Sequence, residues 1–424
     1  MGNSDASAHF NTRPVRERLA TLYGADAVEA QAARWTALAR GAATRSGALP
    51  WRFLSAPGRT ELGGNHTDHQ GGRVLAAAVD LDAIACVAPS GDTRVTLESE
   101  GWPRAFELDL ASLEPVEAER GSTEALIRGV AAGFAARGLP VGGFRGRMAS
   151  TVLPGSGLSS SAAVEVLVGA IFDSLFGSGA TSPLELALIG QEAENRYYGK
   201  PCGLMDQAAS ALGGVVELDF SDPARPRARA VRADLSAFGH RLIVVNTGGS
   251  HADLSADYAA VPEEMRAAAR VLGRETLGDA DSAGVLAALP AIRKAAGDRA
   301  ALRALHCVRE NGRVDAMAAA LDSGDFARFL SLVNESGDSS WELLQNVANP
   351  RTPREQGVAL AVALSREILG GSGAARVHGG GFAGTAQAWV PEELYPEYHE
   401  RVEAVFGPGS VMALRVRPEG RTLL

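Results

Sequence analysis

The chain has 424 residues, 46% hydrophobic and 21% charged, a composition ordinary for a globular protein and a length that can bury a large core in two domains. Its net charge of −9 argues against binding nucleic acid or an anionic membrane surface by bulk electrostatics. Its three cysteines, Cys86, Cys202 and Cys307, outline neither a disulfide framework nor a metal site, and no apolar run reaches membrane-spanning length, so a soluble cytoplasmic protein is expected. Nearly every basic residue is Arg, with Lys200 and Lys294 the exceptions, so a phosphate site would draw on backbone donors and a few cations.

Residues 11–45 carry helical periodicity and end at a Ser/Gly/Pro loop. From Trp51 the pattern changes to short apolar runs broken by glycine, at 76–87, 95–97 and 106–110, which predict strands of a mostly antiparallel sheet. A helix is predicted over 124–137 and a strand over 148–153. Ser182-Pro-Leu-Glu185 is a capping box opening a helix that runs to Tyr198. A short helix at 206–212 and a strand at 215–220 close this part. Pro223, Pro226 and a run of arginines then mark a linker. Beyond it come a strand at 241–246, helices near 262–272, 283–296, 300–321, 325–346 and 354–369, strands at 374–378 and 385–390, a helix at 392–406 and a strand at 411–416. The chain therefore divides into an N-terminal helical extension (1–50), one domain over 51–230 and another over 231–424. Strand and helix blocks mix without regular βαβ alternation, which is an α+β fold class.

Four polar or glycine-rich stretches carry candidate chemistry. In Val152-Leu-Pro-Gly-Ser-Gly-Leu-Ser-Ser-Ser-Ala-Ala-Val164 a strand-like run meets a small-residue turn and then a helix. Three serines at a helix start place hydroxyls and orphan N–H groups at the positive end of the dipole, and glycines let a polyanion approach the backbone. The bland reading is a serine-capped core helix.

Ala56–Gly72 packs one Arg, one Asn, two His and acidic residues into what reads as a glycine-rich loop, suited to the hydroxyls of a polyol. Metal ligation by His66, Asp68 and His69 is weighed and set aside, because no distant His/Cys cluster completes a site. In Gly203-Leu-Met-Asp-Gln207, Asp206 sits at a helix start, where its bland role is capping. Arg376-Val-His-Gly-Gly-Gly-Phe-Ala-Gly-Thr385 matches the dinucleotide pattern, but a strand follows it where that site needs a helix, so a nicotinamide site is rejected. A Walker A sequence, protein-kinase landmarks and a G-x-S-x-G elbow are absent from the sequence.

In this order and spacing the four stretches resemble the GHMP kinases and, within them, the galactokinases. Val244-Val-Asn-Thr247 with His251, Ser255-Ala-Asp-Tyr258 and His306-Cys-Val-Arg-Glu310 are similar to further family segments, so the resemblance spans about residues 50–420. It implies a two-domain GHMP kinase fold, an S5-domain-2-like N-terminal domain and a ferredoxin-like C-terminal domain, with the active site between them. By resemblance Asp206 is the catalytic carboxylate near the sugar C1 hydroxyl, balanced by Arg59. Asn65, His66, Thr67, Asp68, Gly203 and Tyr258 bind sugar. Gly155, Ser156, Gly157, Leu158, Ser159, Ser160 and Ser161 cradle the ATP triphosphate, and Ser161 and Glu194 hold Mg²⁺, an ion that prefers oxygen ligands and bridges phosphates.

The resemblance also implies a monomer whose partners are a sugar and ATP. Asn65-His-Thr-Asp-His69 stands where the family has Glu-His-Thr-Asp-Tyr, and Thr60-Glu-Leu-Gly-Gly64 replaces a more apolar run. These departures bear on the sugar more than on phosphoryl transfer. The expected reaction is phosphorylation of D-galactose at C1. Its alternatives are a kinase for N-acetylgalactosamine, arabinose or fucose, and a non-catalytic sugar/ATP sensor.

Overall fold

The computed structural model describes residues 8–46, 49–152, 157–200, 202–222, 225–249 and 254–424. Strands β1 (Arg52–Gly63), β2 (Arg73–Pro89), β3 (Arg94–Ser99), β4 (Phe106–Asp109), β5 (Phe144–Ser150), β6 (Val215–Asp219) and β7 (Arg227–Val231) build one sheet with β12 (Thr422–Leu423). All pairs are antiparallel except β3 with β5. The long β2 is the spine. One edge pairs with β1, and the other pairs first with β6 and then with β5.

The two faces of this sheet follow the period of two along its strands. Phe53, Ile84, Cys86 and Ala149 face one side, where helices α1 (Arg13–Tyr23) and α2 (Val28–Ser46) cover them with Leu19, Leu22, Trp35 and Leu38. The N-terminal extension is therefore the cover of a sheet face. Leu54, Ala85, Val87 and Met148 face the other side, under α3 (Thr123–Ala136), α4 (Ser160–Leu175), α5 (Pro183–Ala193) and α6 (Met205–Leu212). Ser182 caps α5, accepting from Glu185 N at 3.2 Å. The helix predicted to run on to Tyr198 instead changes at Glu194 into one π-helical turn, Glu194–Tyr198, a device common at functional sites.

The second sheet, β8 (His240–Asn246), β9 (Ala374–His378), β10 (Thr385–Pro391) and β11 (Val411–Leu414), is antiparallel in the order β11-β8-β10-β9. Around it lie α7 (Ser255–Val271), α8 (Ser282–Ala296), α9 (Asp298–Asp322), α10 (Phe326–Ser339), α11 (Gly357–Leu369) and α12 (Tyr395–Phe406). The helix expected from 262 starts at Ser255 and carries Pro262 inside it. The one expected over 325–346 ends at Ser339 and gives way to a π-helical turn, Ser340–Leu344.

After β11 the chain returns to the first sheet. Val416 bridges Val79 and β12 pairs with β1, so the last residues of the 231–424 segment belong with the first sheet. One core joins the two parts, with Val314, Met317 and Trp389 in the same cluster as Leu62, Val74 and Val166.

Candidate active site

The first surprise concerns the polar motif at 56–72. Its first half is strand, not loop. Arg59, Thr60 and Glu61 pair with Ala78, Ala77 and Ala76 of β2, and this cross-strand pairing overrides the turn preference of Pro57-Gly58. The ladder slips between Pro57 and Arg59 and again between Glu61 and Gly63, and such bulges re-aim side chains beside functional sites. Gly58 sits at the first slip. A Cβ there would come within 2.9 Å of the Leu158 carbonyl, so the strand touches the serine-rich turn only because residue 58 is glycine.

Arg59 leaves this bulge and joins two segments. Its Nε donates to Asp206 Oδ1 at 2.7 Å and its Nη1 to the Gly157 carbonyl at 2.6 Å. Asp206 stands in the first turn of α6 and caps nothing. Its other oxygen accepts from the Ser159 hydroxyl. Burial alone would raise its pKa, but the Arg59 charge, hydrogen bonds from Arg59 and Ser159 and the Lys200 charge more than reverse this and hold it below the usual carboxylate value.

The serine-rich turn is not a serine-capped helix end. Ser159 adopts φ +60° and its side chain caps no N–H of α4. Ser160 opens the helix, and Ser161 Oγ donates to Glu194 Oε1 at 2.9 Å. Leu158 is an anchor: its side chain is buried and its carbonyl accepts from Arg59 N at 3.1 Å. Gly157 has φ +75°, and a Cβ there would meet Thr385 Oγ1 at 2.6 Å and His378 Nδ1 at 2.8 Å. Gly155, Ser156 and His251 lie outside the described residues.

Asp68, in the loop after β1, lies against Gly203. A Cβ on Gly203 would come within 2.2 Å of Asp68 Oδ2, which makes the glycine a condition for the carboxylate's position. Burial pushes the Asp68 carboxyl up, and the nearby His66 and the His69 backbone N–H offset this only in part. His66 has φ +60°, its Nε2 hydrogen-bonds the Gly380 carbonyl at 3.0 Å and its Nδ1 shares a hydrogen bond with His69 Nε2 at 3.2 Å. Burial, followed by the His66 charge, pushes His69 well down, so its ring is neutral. The Tyr258 hydroxyl donates to the Gly381 carbonyl at 2.5 Å, and its ring stands edge-on to Phe382 at 5.3 Å.

Two expected sugar ligands are turned into the protein. Asn65 Nδ2 donates to the Gly379 carbonyl at 2.7 Å and to Glu61 Oε1 at 3.1 Å, while its Oδ1 accepts from Asn346 Nδ2 at 2.8 Å. The Thr67 hydroxyl donates to the Gly64 and Arg73 carbonyls at 2.8 and 2.5 Å. Both amide ends of Asn65 and the hydroxyl proton of Thr67 are thereby used within the fold. Glu61 in turn pairs with Arg376, both buried.

His306 and Glu310, one turn apart on α9, hold the same loop by its backbone. His306 Nε2 hydrogen-bonds Asn65 O at 2.8 Å, and Glu310 Oε1 accepts from Gly64 N at 3.0 Å. Burial would raise Glu310, but Arg313, His306 and Arg376 together bring it down to about 2.

His378 belongs to this junction and was missed as a site residue. It is clamped between Thr60 Oγ1 and Thr385 Oγ1, each at 3.0 Å, and burial next to Arg59 and Arg376 drives it down to about 3. The glycine-rich segment around it matches a dinucleotide pattern, whereas the histidine itself carries no period or spacing of its own. The strand expected after that segment is β10, so the Rossmann context is absent.

Residues 125–214 match the GHMP kinases N terminal domain, and residues 44–89 match the galactokinase galactose-binding signature. The chain is similar to the Lactococcus lactis galactokinase crystallised with galactose, at 26% identity over 90% of this chain and 97% of that one, with a TM-score of 0.76. It is also similar in fold to the Methanococcus jannaschii mevalonate kinase, at 15% identity over 86% of this chain and 98% of that one, with a TM-score of 0.58. The mevalonate diphosphate decarboxylase from Staphylococcus aureus is similar in fold alone, at 11% identity over 88% of this chain and 98% of that one, with a TM-score of 0.57.

Proposed function

We propose that this chain, which matches the GHMP kinases N terminal domain and the galactokinase galactose-binding signature, transfers the γ-phosphoryl group of ATP to the C1 hydroxyl of a hexose, D-galactose first. The observation that carries this reading is the Arg59 junction. One guanidinium binds Asp206, which would face the sugar hydroxyl, and the Gly157 carbonyl of the turn that would hold the triphosphate. One side chain would thus bring acceptor and donor to one place.

The C1 oxygen would form a bond to the γ-phosphorus as the bond from that phosphorus to the bridging oxygen of ADP breaks. Asp206, ionised at neutral pH, accepts the hydrogen bond of the attacking hydroxyl and orients it. A loose transition state asks little more of a base than orientation and charge placement. Asp68 and His66 sit in the same loop to take further sugar hydroxyls. The uncapped start of α4 offers N–H groups to phosphate oxygens.

Mg²⁺ fits the corner made by Ser161 and Glu194, where the donors are oxygens 2.9 Å apart. There it would neutralise charge on the transferring phosphoryl group. Lys200 Nζ reaches the same Glu194 oxygen at 3.1 Å. Glu194→Gln is expected to raise the Mg²⁺ concentration for half-maximal rate by about tenfold or more, on the scale of metal-site perturbations, with sugar affinity unchanged. Overlaying Mg²⁺ titrations of variant and parent would reduce the carboxylate to a structural role.

A related sugar is favoured as the second reading by Asn65, whose amide is consumed inside the protein and leaves no carboxylate at that position. An ADP-release assay over galactose, N-acetylgalactosamine, glucose, arabinose and fucose tests both. Galactose is expected to give the highest kcat/KM. A competitor ahead by more than about tenfold, about 1.4 kcal/mol of transition-state binding, moves the substrate and keeps the kinase. Binding of sugar and ATP with no ADP release would instead make the protein a sensor.

A further inference from the structure

Behind Ser161 and Glu194 lies a buried cluster that the reaction as described does not use. Glu165 follows Ser161 by one turn of α4, and Gln207 follows Asp206 directly on α6; their exposures are 1% and 0%. The Gln207 amide nitrogen donates to Glu165 Oε2 and to Glu194 Oε2, each at 2.9 Å, with Cys202 Sγ a weaker acceptor at 3.6 Å. A primary amide has two hydrogens, so this geometry assigns both to carboxylates. Turned over, the amide would set its own oxygen against the Glu194 carboxylate oxygen, so Glu194 fixes which end points forward.

Glu194 is held from both sides as a result. Its Oε2 is taken from behind by Gln207, and its Oε1 faces Ser161 and Lys200. The neighbouring helix makes room for this arrangement at Gly190, where a Cβ would meet Gln207 Cγ and Glu165 Cβ at 3.2 Å each. The gap at Gly190 is filled by these two side chains. Burial and the Glu194 charge push the Glu165 carboxyl well up, and its Oε2 is the acceptor that backs Gln207.

We propose that Gln207, backed by Glu165, is a positioning residue for the metal–nucleotide: it fixes the carboxylate of Glu194 and ties it to the helical turn that carries Asp206. The proposal rests on the kinase reading above. If it holds, the metal carboxylate and the carboxylate at the sugar hydroxyl cannot shift independently, because adjacent residues of one helix hold the first and bear the second.

Gln207→Met keeps the volume and removes both donors. Mn²⁺ binding to the enzyme with adenylyl imidodiphosphate is measured by the loss of the free-ion paramagnetic resonance signal, and galactose binding without nucleotide by calorimetry. Gln207→Met is expected to weaken Mn²⁺ binding by about 10- to 100-fold, the range for groups that orient metal ligands, and to leave galactose affinity within about twofold. Glu165→Gln, which keeps an acceptor oxygen, is expected to bind Mn²⁺ like the parent. Parent-like Mn²⁺ binding by Gln207→Met overturns the proposal, and so does an equal loss of Mn²⁺ and galactose affinity. Should that variant fail to fold, Glu165→Leu decides: weaker Mn²⁺ binding with galactose affinity kept supports the proposal, and any other pattern overturns it. A parent that binds no Mn²⁺–nucleotide at all overturns the kinase reading as well, which separates the two failures.

Discussion

Asp206→Asn is expected to lower kcat by about 10²-fold or more, the scale of a positioned acid/base or electrostatic group, while the protein remains folded. The side chain is three-quarters buried, and its two oxygens are engaged by Arg59 and by Ser159. An amide of the same shape removes the negative charge from beside Arg59. Turned one way it sets an N–H against the Arg59 donor; turned the other, it makes the Ser159 hydroxyl switch from donor to acceptor. The loss should therefore fall on the reaction and on the alignment of the Arg59 junction, while the α6 packing of Ala208, Ala209 and Ala211 is untouched. Because the carboxyl is held below the usual range, Asp206 is ionised at neutral pH and should impose no acid limb on kcat until the pH falls below about 4. Steady-state kinetics, galactose calorimetry and circular dichroism together check this. A folded variant with parent-like kcat removes Asp206 from the chemistry.

The parts of the site that were legible in the sequence are those written in local spacing. A serine triplet before a helical period places Ser161 on α4, and an acid at a helix start places Asp206 on α6. A period also found the capping box at Ser182 and the strand after the last glycine loop. What could not be read is where partners come from different segments. Nothing local says that Ser159 turns to Asp206 instead of capping its helix, or that Asn65 spends its amide on Gly379 and Asn346, more than 280 residues away along the chain. The loop assignment for Ala56–Gly63 failed for a related reason. Pro57-Gly58-Arg59 has turn chemistry, but pairing with the alanines of β2 and a bulge at Gly58 turn it into strand. The N-terminal helices looked like an appendage because their apolar stripe gives no address. The address is the face made by Phe53, Ile84, Cys86 and Ala149 on a sheet formed later in the chain.

Asp82→Ala is expected to cost about 3–5 kcal/mol of folding stability, the range for stripping one partner from a buried ion pair. Asp82 lies on β2 with no solvent exposure, and four segments converge on its carboxylate. Arg34 of α2 donates to Oδ1 at 2.6 Å. Tyr23 of α1 and Arg417 of the returning C-terminal tail donate to Oδ2 at 2.5 and 2.9 Å, and Ser55 of β1 donates to the same oxygen. Burial alone would raise the Asp82 pKa, but Arg34 and Arg417, helped by Ser55 and Tyr23, bring it below the ordinary value. Removing the carboxylate leaves the Arg417 guanidinium fully buried with its charge unanswered, and unpins both ends of the chain from the central strand. Arg417→Met on top of Asp82→Ala should recover part of the loss, since a buried pair replaced whole costs less than a pair broken.

The pH dependence has a definite sign. A carboxyl with a lowered folded pKa contributes stability that is fully present above its unfolded value of about 4 and is lost as pH falls through the folded pKa. The gap between parent and Asp82→Ala in urea unfolding should therefore be widest near neutrality and shrink in acid. Asp82 also governs the approach to the serine-rich turn, because its backbone carbonyl accepts from Thr151 N at 2.9 Å and its N–H donates to Thr151 Oγ1 at 3.0 Å. Both use only the backbone of Asp82, so the alanine variant keeps them. Any fall in nucleotide affinity should then track unfolding, and loss of nucleotide binding in a population still folded by circular dichroism would mean that the carboxylate, rather than the strand, sets the turn.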